Sequence, residues 1–414
     1  MNLMRTRAGS RNLQPAVRVT LIAFCAEAAH TLLFIPLLQT YLPGHLHWTP
    51  AFPGYALTAF GTAKLIAQAP AGRVVDRAGT RLTGSAGLAI LLASGVLFAL
   101  VRIPLLFLGV ACLYGVGAAL LWPSLFAVAA SRYGATQRGR VAAAIQFAEA
   151  SGVGVGVGAG ALIVDRAGYG AGFGAYLGLI GLGLLTVITV RRSGSGSAEA
   201  KEQPETERLA RLLRTPVTLD LALLVVIGSL LTLSPNLLMP IVRDYAVHNL
   251  GLQLHNLILP LIPVAAIGGL AVFGSGAASD RYGRLPVTLS GLCLGAVGIW
   301  FVGSANTLTF AIPAAAIGAA GYLITQPAWS ASVFDASTAQ HRGTQFALIM
   351  VAQGLAEALA PALGGKVAEA WGPGATFHLS GAVLAAAALL TIAQIALRRR
   401  RPAKRQQDGT AYNL

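Results

Sequence analysis

Charge is what this sequence has least of for its length. Only 11% of the 414 residues are Asp, Glu, Lys or Arg, while 55% are hydrophobic; a soluble domain carries about 25% charge. Such a chain cannot cover its surface with charge, which excludes an ordinary soluble protein. Cysteine is scarcer still. Cys25, Cys112 and Cys293 are the only three, all inside apolar runs and at none of the short spacings that zinc uses. They exclude a disulfide framework and read as small core residues. Regular alternation of apolar and polar residues is also missing, which excludes a transmembrane β-barrel.

What is present is charge in clusters, separated by apolar stretches of about twenty residues, enough for a helix to cross ~30 Å of hydrocarbon. The runs predict an all-α polytopic membrane protein with twelve spans: 18–41, 52–72, 82–101, 104–131, 140–164, 171–190, 218–246, 256–276, 286–304, 308–334, 344–368 and 375–397. Short turns at Arg102-Ile103-Pro104 and at 304–307 divide the two longest apolar regions.

The net charge of +15 would suit a nucleic-acid partner, but its distribution argues against one. Of the 30 Lys and Arg, 25 fall in segments on the side of the N-terminus and four (Arg102, Arg166, Arg243, Lys366) in loops on the other. That asymmetry predicts both termini in the cytoplasm and the cytoplasmic membrane as the location. A cleaved signal peptide is the competing reading of the Arg-bearing start. The first apolar run is long for an h-region and has a partner later in the chain.

That partner belongs to a duplication at an offset of 204. Pro36 and Tyr41 meet Pro240 and Tyr245, Pro123 meets Pro327, and Arg138-Gly139 meets Arg342-Gly343. Gly168, Gly170 and Phe173 meet Gly372, Gly374 and Phe377. Rare residues in one register predict two homologous six-helix halves, 1–192 and 218–397, joined by a cytoplasmic linker, 193–217, and followed by a basic tail, 398–414. Six spans per half make these parallel repeats, for which a substrate site is expected between the halves near the midplane.

The repeat also pairs two charged turns, "GRVVDRAGTR" at Gly72–Arg81 and "GAASDRYGRL" at Gly276–Leu285. Each is expected in the loop after the second span of its half. Gly72 and Gly276 allow close helix approach, and Gly79 and Gly283 suit a tight turn. Asp76 and Asp280 are able to accept hydrogen bonds from a helix start, and the arginines to pair with acids or lipid phosphates. With Gly72, Asp76, Arg77, Gly79 and Arg81, and again Gly276, Asp280, Arg281, Gly283 and Arg284, the chain resembles the major facilitator superfamily over essentially all of 18–397. The resemblance implies that this loop latches the outward-facing state. On that likeness Asp76 docks near Arg342, and Asp280 near Arg138.

Other marks of that family are partial. "GVGVGVGAG" at Gly152–Gly160 supplies the glycines of an antiporter fifth helix but has Val157 where proline belongs, and "APALGG" at Ala360–Gly365 is the fuller remnant. Ala111 stands where many proton-coupled members carry an arginine. The glycines inside a span point to helix packing rather than to a nucleotide loop.

An acid at membrane depth costs about 2.5–3.5 kcal/mol on insertion scales, so its presence suggests a function. Glu27, Glu149 and Glu357 qualify. His30 shares a helical face with Glu27, Gln146 shares one with Glu149, and Gln353 with Glu357. Lys64 is the one Lys or Arg placed well inside a span. Glu27, His30, Glu149 and Glu357 are therefore the candidates for proton coupling. Each has a bland alternative: His30 as an interhelical hydrogen bond, Lys64 as a structural ion-pair partner of Glu27 or Glu149. In the family resembled, the first and fourth helices of each half line the cavity. That implies a lining of Trp122, Asn236, Tyr322, Gln326 and Trp329, with Lys64 and Gln146 added as candidates.

Few acids and several aromatics suit an amphipathic or cationic organic solute better than a sugar. The expected function is a secondary transporter, not an enzyme, driven by a proton gradient without cofactor or metal and active as a monomer among membrane lipids. Efflux by proton antiport is the leading direction. A proton-coupled importer of a small metabolite, and a non-transporting sensor or scaffold, are the alternatives.

Overall fold

The computed structural model describes residues 3–49, 51–132, 135–188, 218–253, 281–336 and 342–400, with residues 263, 264, 267, 270, 271, 275, 278 and 279 between them. These residues form helices, connected by short turns. In chain order they are α1 (Leu3–Leu32), a π-helical turn (Leu33–Leu37), α2 (Leu38–His45), α3 (Phe52–Ala78), α4 (Thr80–Leu100), α5 (Pro104–Arg132) and α6 (Ala135–Ile188). Then come α7 (Leu219–Leu238), α8 (Val242–Asp244), a second π-helical turn (Tyr245–Asn249), α9 (Arg284–Gly303), α10 (Leu308–Ala336), α11 (Arg342–Trp371) and α12 (Pro373–Arg400).

Nine helical stretches among the described residues are long and apolar enough to cross a membrane. One of them, Phe147–Ile188, covers two expected spans. The second expected span is helical within α3, which carries charge at its end and is not among the nine. The eighth, 256–276, lies mostly outside the described residues, as do the linker 193–217 and the tail beyond Arg400.

The breaks between helices fall where the backbone demands glycine. Gly79 (φ 82°) separates α3 from α4, and Gly283 (φ 91°) precedes α9. Gly168 (φ 80°) interrupts α6, and Gly372 (φ 85°) separates α11 from α12. An L-residue with a side chain is strained in this left-handed region. The four glycines form two pairs at the offset of 204, so the duplication reaches the backbone torsions. Of the paired prolines, Pro36 sits in the π-helical turn and Pro240 in the turn after α7, while Pro123 and Pro327 lie inside α5 and α10.

One expectation is corrected. The first charged turn is not a loop from Gly72 onward: α3 continues through Asp76 and Arg77 to Ala78 and ends only at Gly79. Nothing between Gly72 and Ala78 breaks a helix, and the i→i−4 ladder runs on until glycine allows a positive φ.

The chain divides into two compact units. The first comprises Met1–Lys201, Met239–Leu261 and Pro361–Ala370; the second comprises Glu202–Leu238, Ile262–Ala360 and Trp371–Leu414. In the first unit α1 packs along α6, and α5 packs on α3 and α4. Its core is aromatic, with Phe34, Phe98, Phe107, Tyr114 and Tyr176 fully buried. Segment 239–253 is fastened there by Gln39 Nε2, which donates to the Met239 carbonyl at 2.5 Å. In the second unit α9 packs on α10 and α12, and α7 on α12, around Leu224, Ile227, Leu231, Leu292 and Leu384.

Glycine sets the closest helix approaches. A Cβ on Gly152 would lie 2.9 Å from the Phe24 carbonyl oxygen, and one on Gly156 2.4 Å from that of Ala28. One on Gly160 would lie 2.8 Å from Leu32 Cγ. These glycines, four apart, form one stripe of α6 laid against α1. Gly154, on another face, has nothing within 4 Å of such a Cβ. Outward-facing positions are instead large and apolar: Leu105, Phe147 and Trp371 are each about three-quarters exposed. Lipid tails are the environment in which backbone-satisfied helices with such exteriors are stable. The protein is a multi-pass membrane protein.

Candidate functional site

Two of the glycine contacts bring ionisable side chains together inside the first unit. Gly152 would place a Cβ 3.0 Å from Glu27 Cβ, so α6 meets α1 at Glu27 and carries Glu149 on its preceding turn. Gly115 would place one 2.4 Å from the Phe60 carbonyl oxygen and 2.9 Å from the Lys64 backbone nitrogen. The α5 backbone therefore touches α3 at Lys64, beside Tyr114. Glu27, His30, Lys64, Tyr114 and Glu149 converge from four helices.

Electrostatic contact follows this packing. Lys64 lies within charge-interaction range of both His30 and Glu149, and Glu27 within range of Tyr114. The Lys64 ammonium sits 5.6 Å from the centre of the Phe60 ring, a cation–π distance. His30 is enclosed by aromatic rings, with centroids of Phe34 at 4.9 Å, Phe60 at 5.1 Å and Tyr114 at 5.7 Å.

Two tyrosines close this side of the cluster. Tyr176 Oη donates to the Leu91 carbonyl at 2.7 Å, and its ring lies 6.5 Å, centre to centre, from that of Tyr114. His30 Nδ1 lies 3.2 Å from Tyr114 Oη, a hydrogen bond in which the imidazole or the phenol is the donor according to the tautomer of His30. Tyr114 and Tyr176 were not singled out by the sequence. They stand inside apolar runs of α5 and α6, 62 positions apart, and only the packing of those helices makes them neighbours.

The other candidates are more dispersed. Trp122 on α5 is partly buried against the core of the first unit. In the second unit, Gln326 Nε2 donates to Tyr322 Oη at 2.7 Å, and Asn236 Nδ2 to the Thr232 carbonyl at 2.8 Å. Trp329 is buried over Gly228, its indole N–H donating to the Leu224 carbonyl at 2.9 Å. Glu357 is half-buried on α11, and Gln353, one turn earlier, approaches the Gly228 carbonyl at 3.4 Å.

Of the two charged turns, Gly79 and Gly283 are the helix joints described above. Arg81 donates to the Ile188 carbonyl at 2.6 Å. Arg284 pairs with Asp335 at 2.5 Å and also reaches the Ala331 carbonyl. The Arg281 guanidinium lies 5.3 Å from the Tyr282 ring centre, and Arg77 is exposed. Gly276 and Asp280 lie outside the described residues, as do the side-chain surroundings of Gly72, Asp76, Arg138, Gln146 and Arg342.

Comparison with known proteins agrees with this architecture. The family model described as Major Facilitator Superfamily matches residues 19–356 and 264–412. Among solved structures, the nucleoside transporter NupG superposes with a TM-score of 0.72 at 14% identity, covering 95% of this chain and 99% of that one. The peptide transporter POT in complex with sulfate gives 0.72 at 16% identity, covering 94% of each chain. The xylose transporter XylE from E. coli, in a partially occluded inward-open conformation, gives 0.71 at 17%, covering 92% and 97%. At these identities the likeness is one of fold. Among curated proteins no sequence matches the chain. The helices, the duplicated charged turns and the match of the family model along nearly the whole sequence lead to one assignment: the chain belongs to the major facilitator superfamily of membrane transporters.

Proposed function

We propose that the protein is a proton-coupled secondary transporter that expels a small amphipathic or cationic organic solute across the cytoplasmic membrane by alternating access. The observation that carries this reading is the cluster of Glu27, His30, Lys64 and Glu149 at membrane depth in the first unit. A group that couples protons must gain and lose charge during the cycle, and such groups are costly in hydrocarbon unless used. Lys64 within range of Glu149 supplies a positive partner for the deprotonated acid. Protonation of Glu149 or His30 changes the local charge by one unit, which a nearby cationic solute would feel. No arginine stands at Ala111; here the half-buried Lys64 is the cation beside these groups.

Substrate-dependent proton movement in proteoliposomes tests the function. Cationic drugs, amphiphiles and small metabolites are each added on one side, and internal pH is followed. Counter-movement of protons and solute supports efflux by antiport. Co-movement would replace it by proton-coupled import, the reading favoured by the likeness to a D-xylose–proton symporter at TM-score 0.74 and 16% identity. Proton leak unaffected by any solute, with no flux, would leave a sensor or scaffold.

A further inference from the structure

A cavity of about 640 Å³ opens at the end of the second unit where α9 begins and α10 and α12 end. Its wall includes Ser279, Arg284, Asp335, Arg398 and Arg399. Two of the arginines are braced. Arg284 pairs with Asp335 at 2.5 Å. Arg398 grips Asp220 through Nε at 2.9 Å and Nη2 at 2.5 Å, while Gln394 Nε2 holds the same carboxylate at 2.6 Å. Each brace uses part of a guanidinium that has five N–H donors, so both arginines keep donors for a further acceptor. Arg399 is exposed. Asp335 is the acid that the described residues contribute to the wall, against the bases Arg284, Arg398 and Arg399.

A second cavity of about 460 Å³ shares Pro286 with the first. Its wall is mostly apolar: Ala271, Ala278, Val287 and Ile324, with Tyr282 and two serines. Ile324 lies near the middle of α10 and Ala271 five residues inside the expected eighth span, so this groove lies deeper in the membrane than the charged cup. A basic cup that meets an apolar groove at Pro286 matches a ligand with an anionic head and a hydrocarbon tail. Basic pockets between transmembrane helices bind phosphate-bearing lipid headgroups. Four more basic residues, Arg400, Arg401, Lys404 and Arg405, follow at once in the sequence.

We infer that this pair of cavities is a binding site for an anionic phospholipid, with the phosphate held by Arg284, Arg398 and Arg399 and an acyl chain in the groove beside Pro286. The site is separate from the ionisable cluster of the first unit, and the inference holds whichever solute is carried.

The test uses the purified full-length protein in detergent, with lipid adducts counted by native mass spectrometry. Dioleoylphosphatidylglycerol is compared with dioleoylphosphatidylcholine, and excess inorganic phosphate is added as competitor. Wild type is expected to retain phosphatidylglycerol preferentially, and millimolar phosphate is expected to leave that adduct in place. Arg399→Gln should weaken retention about fivefold, the effect of one surface arginine. Ala278→Phe, which fills the groove, should weaken it while leaving the arginines intact. Arg166→Gln, at an exposed arginine elsewhere, should change nothing. Equal retention of the two lipids, or a preference untouched by Arg399→Gln and Ala278→Phe, would overturn the site. Displacement by inorganic phosphate would overturn the lipid assignment and leave a site for a free anion.

Discussion

Tyr114 is the hydrogen-bond partner of His30 Nδ1, at 3.2 Å. Tyr114→Phe removes that partner and leaves the ring nitrogen without it, a loss of about 1–3 kcal/mol. The expected outcome is an inserted protein whose pH-driven transport falls roughly tenfold or more, measured in proteoliposomes against wild type. Glu27→Gln and Glu149→Gln preserve shape and hydrogen bonding while removing titration. At least one of them is expected to abolish uphill transport driven by a pH gradient and to leave substrate exchange measurable. Wild-type accumulation by both would exclude these acids as the proton carriers.

Among the elements, the contact of α1 with α6 carries the most consequence, because it places Glu27 beside the helix that bears Glu149. It depends on the absence of side chains along Gly152, Gly156 and Gly160. Gly156→Val would drive a branched side chain into the Ala28 carbonyl, where a Cβ alone would stand at 2.4 Å. Overpacking of this kind costs about 1–3 kcal/mol, so a fall in thermal stability of the detergent-solubilised protein is expected, with transport impaired. Gly154→Ala meets nothing within 4 Å and replaces glycine with a better helix former, so its melting temperature should be equal or higher. Equal effects from the two substitutions would mean that the stripe is not the packing surface. The alternating glycines are visible in the sequence, but their period of two does not say which set faces α1. Helical geometry selects every fourth residue, and the neighbouring backbone shows which stripe is covered.

For the whole molecule, the excess of Lys and Arg on one side predicts both termini in the cytoplasm. Cysteines introduced at His47 or Asn249 should react with an impermeant reagent from outside, and those at Ser195 or Gln407 only from inside; the opposite pattern would reverse the orientation. Asp76→Asn should leave insertion intact and lower transport by weakening the outward-facing state. Asp280→Asn is its counterpart in the second half. Full activity of both single variants and of the double variant would reduce the paired turns to topogenic signals.

Hydrophobic runs of membrane-spanning length determined the helical class, because lipid leaves an exposed backbone no alternative partner. The repeated glycines at an offset of 204 determined where helices break, since a positive φ is a local property of the chain. Glu27, His30, Lys64 and Glu149 could be picked out as charges in hydrocarbon. That they converge was decided only by tertiary structure, through the glycine contacts that set how closely α6 meets α1 and α3 meets α5. Tyr114 and Tyr176 were illegible beforehand, because a tyrosine in an apolar run looks like any core aromatic until its hydroxyl finds a partner. The pairing of the basic cup with an apolar groove was likewise decided by packing. It depends on distances between residues far apart in the chain, and no local pattern encodes such distances.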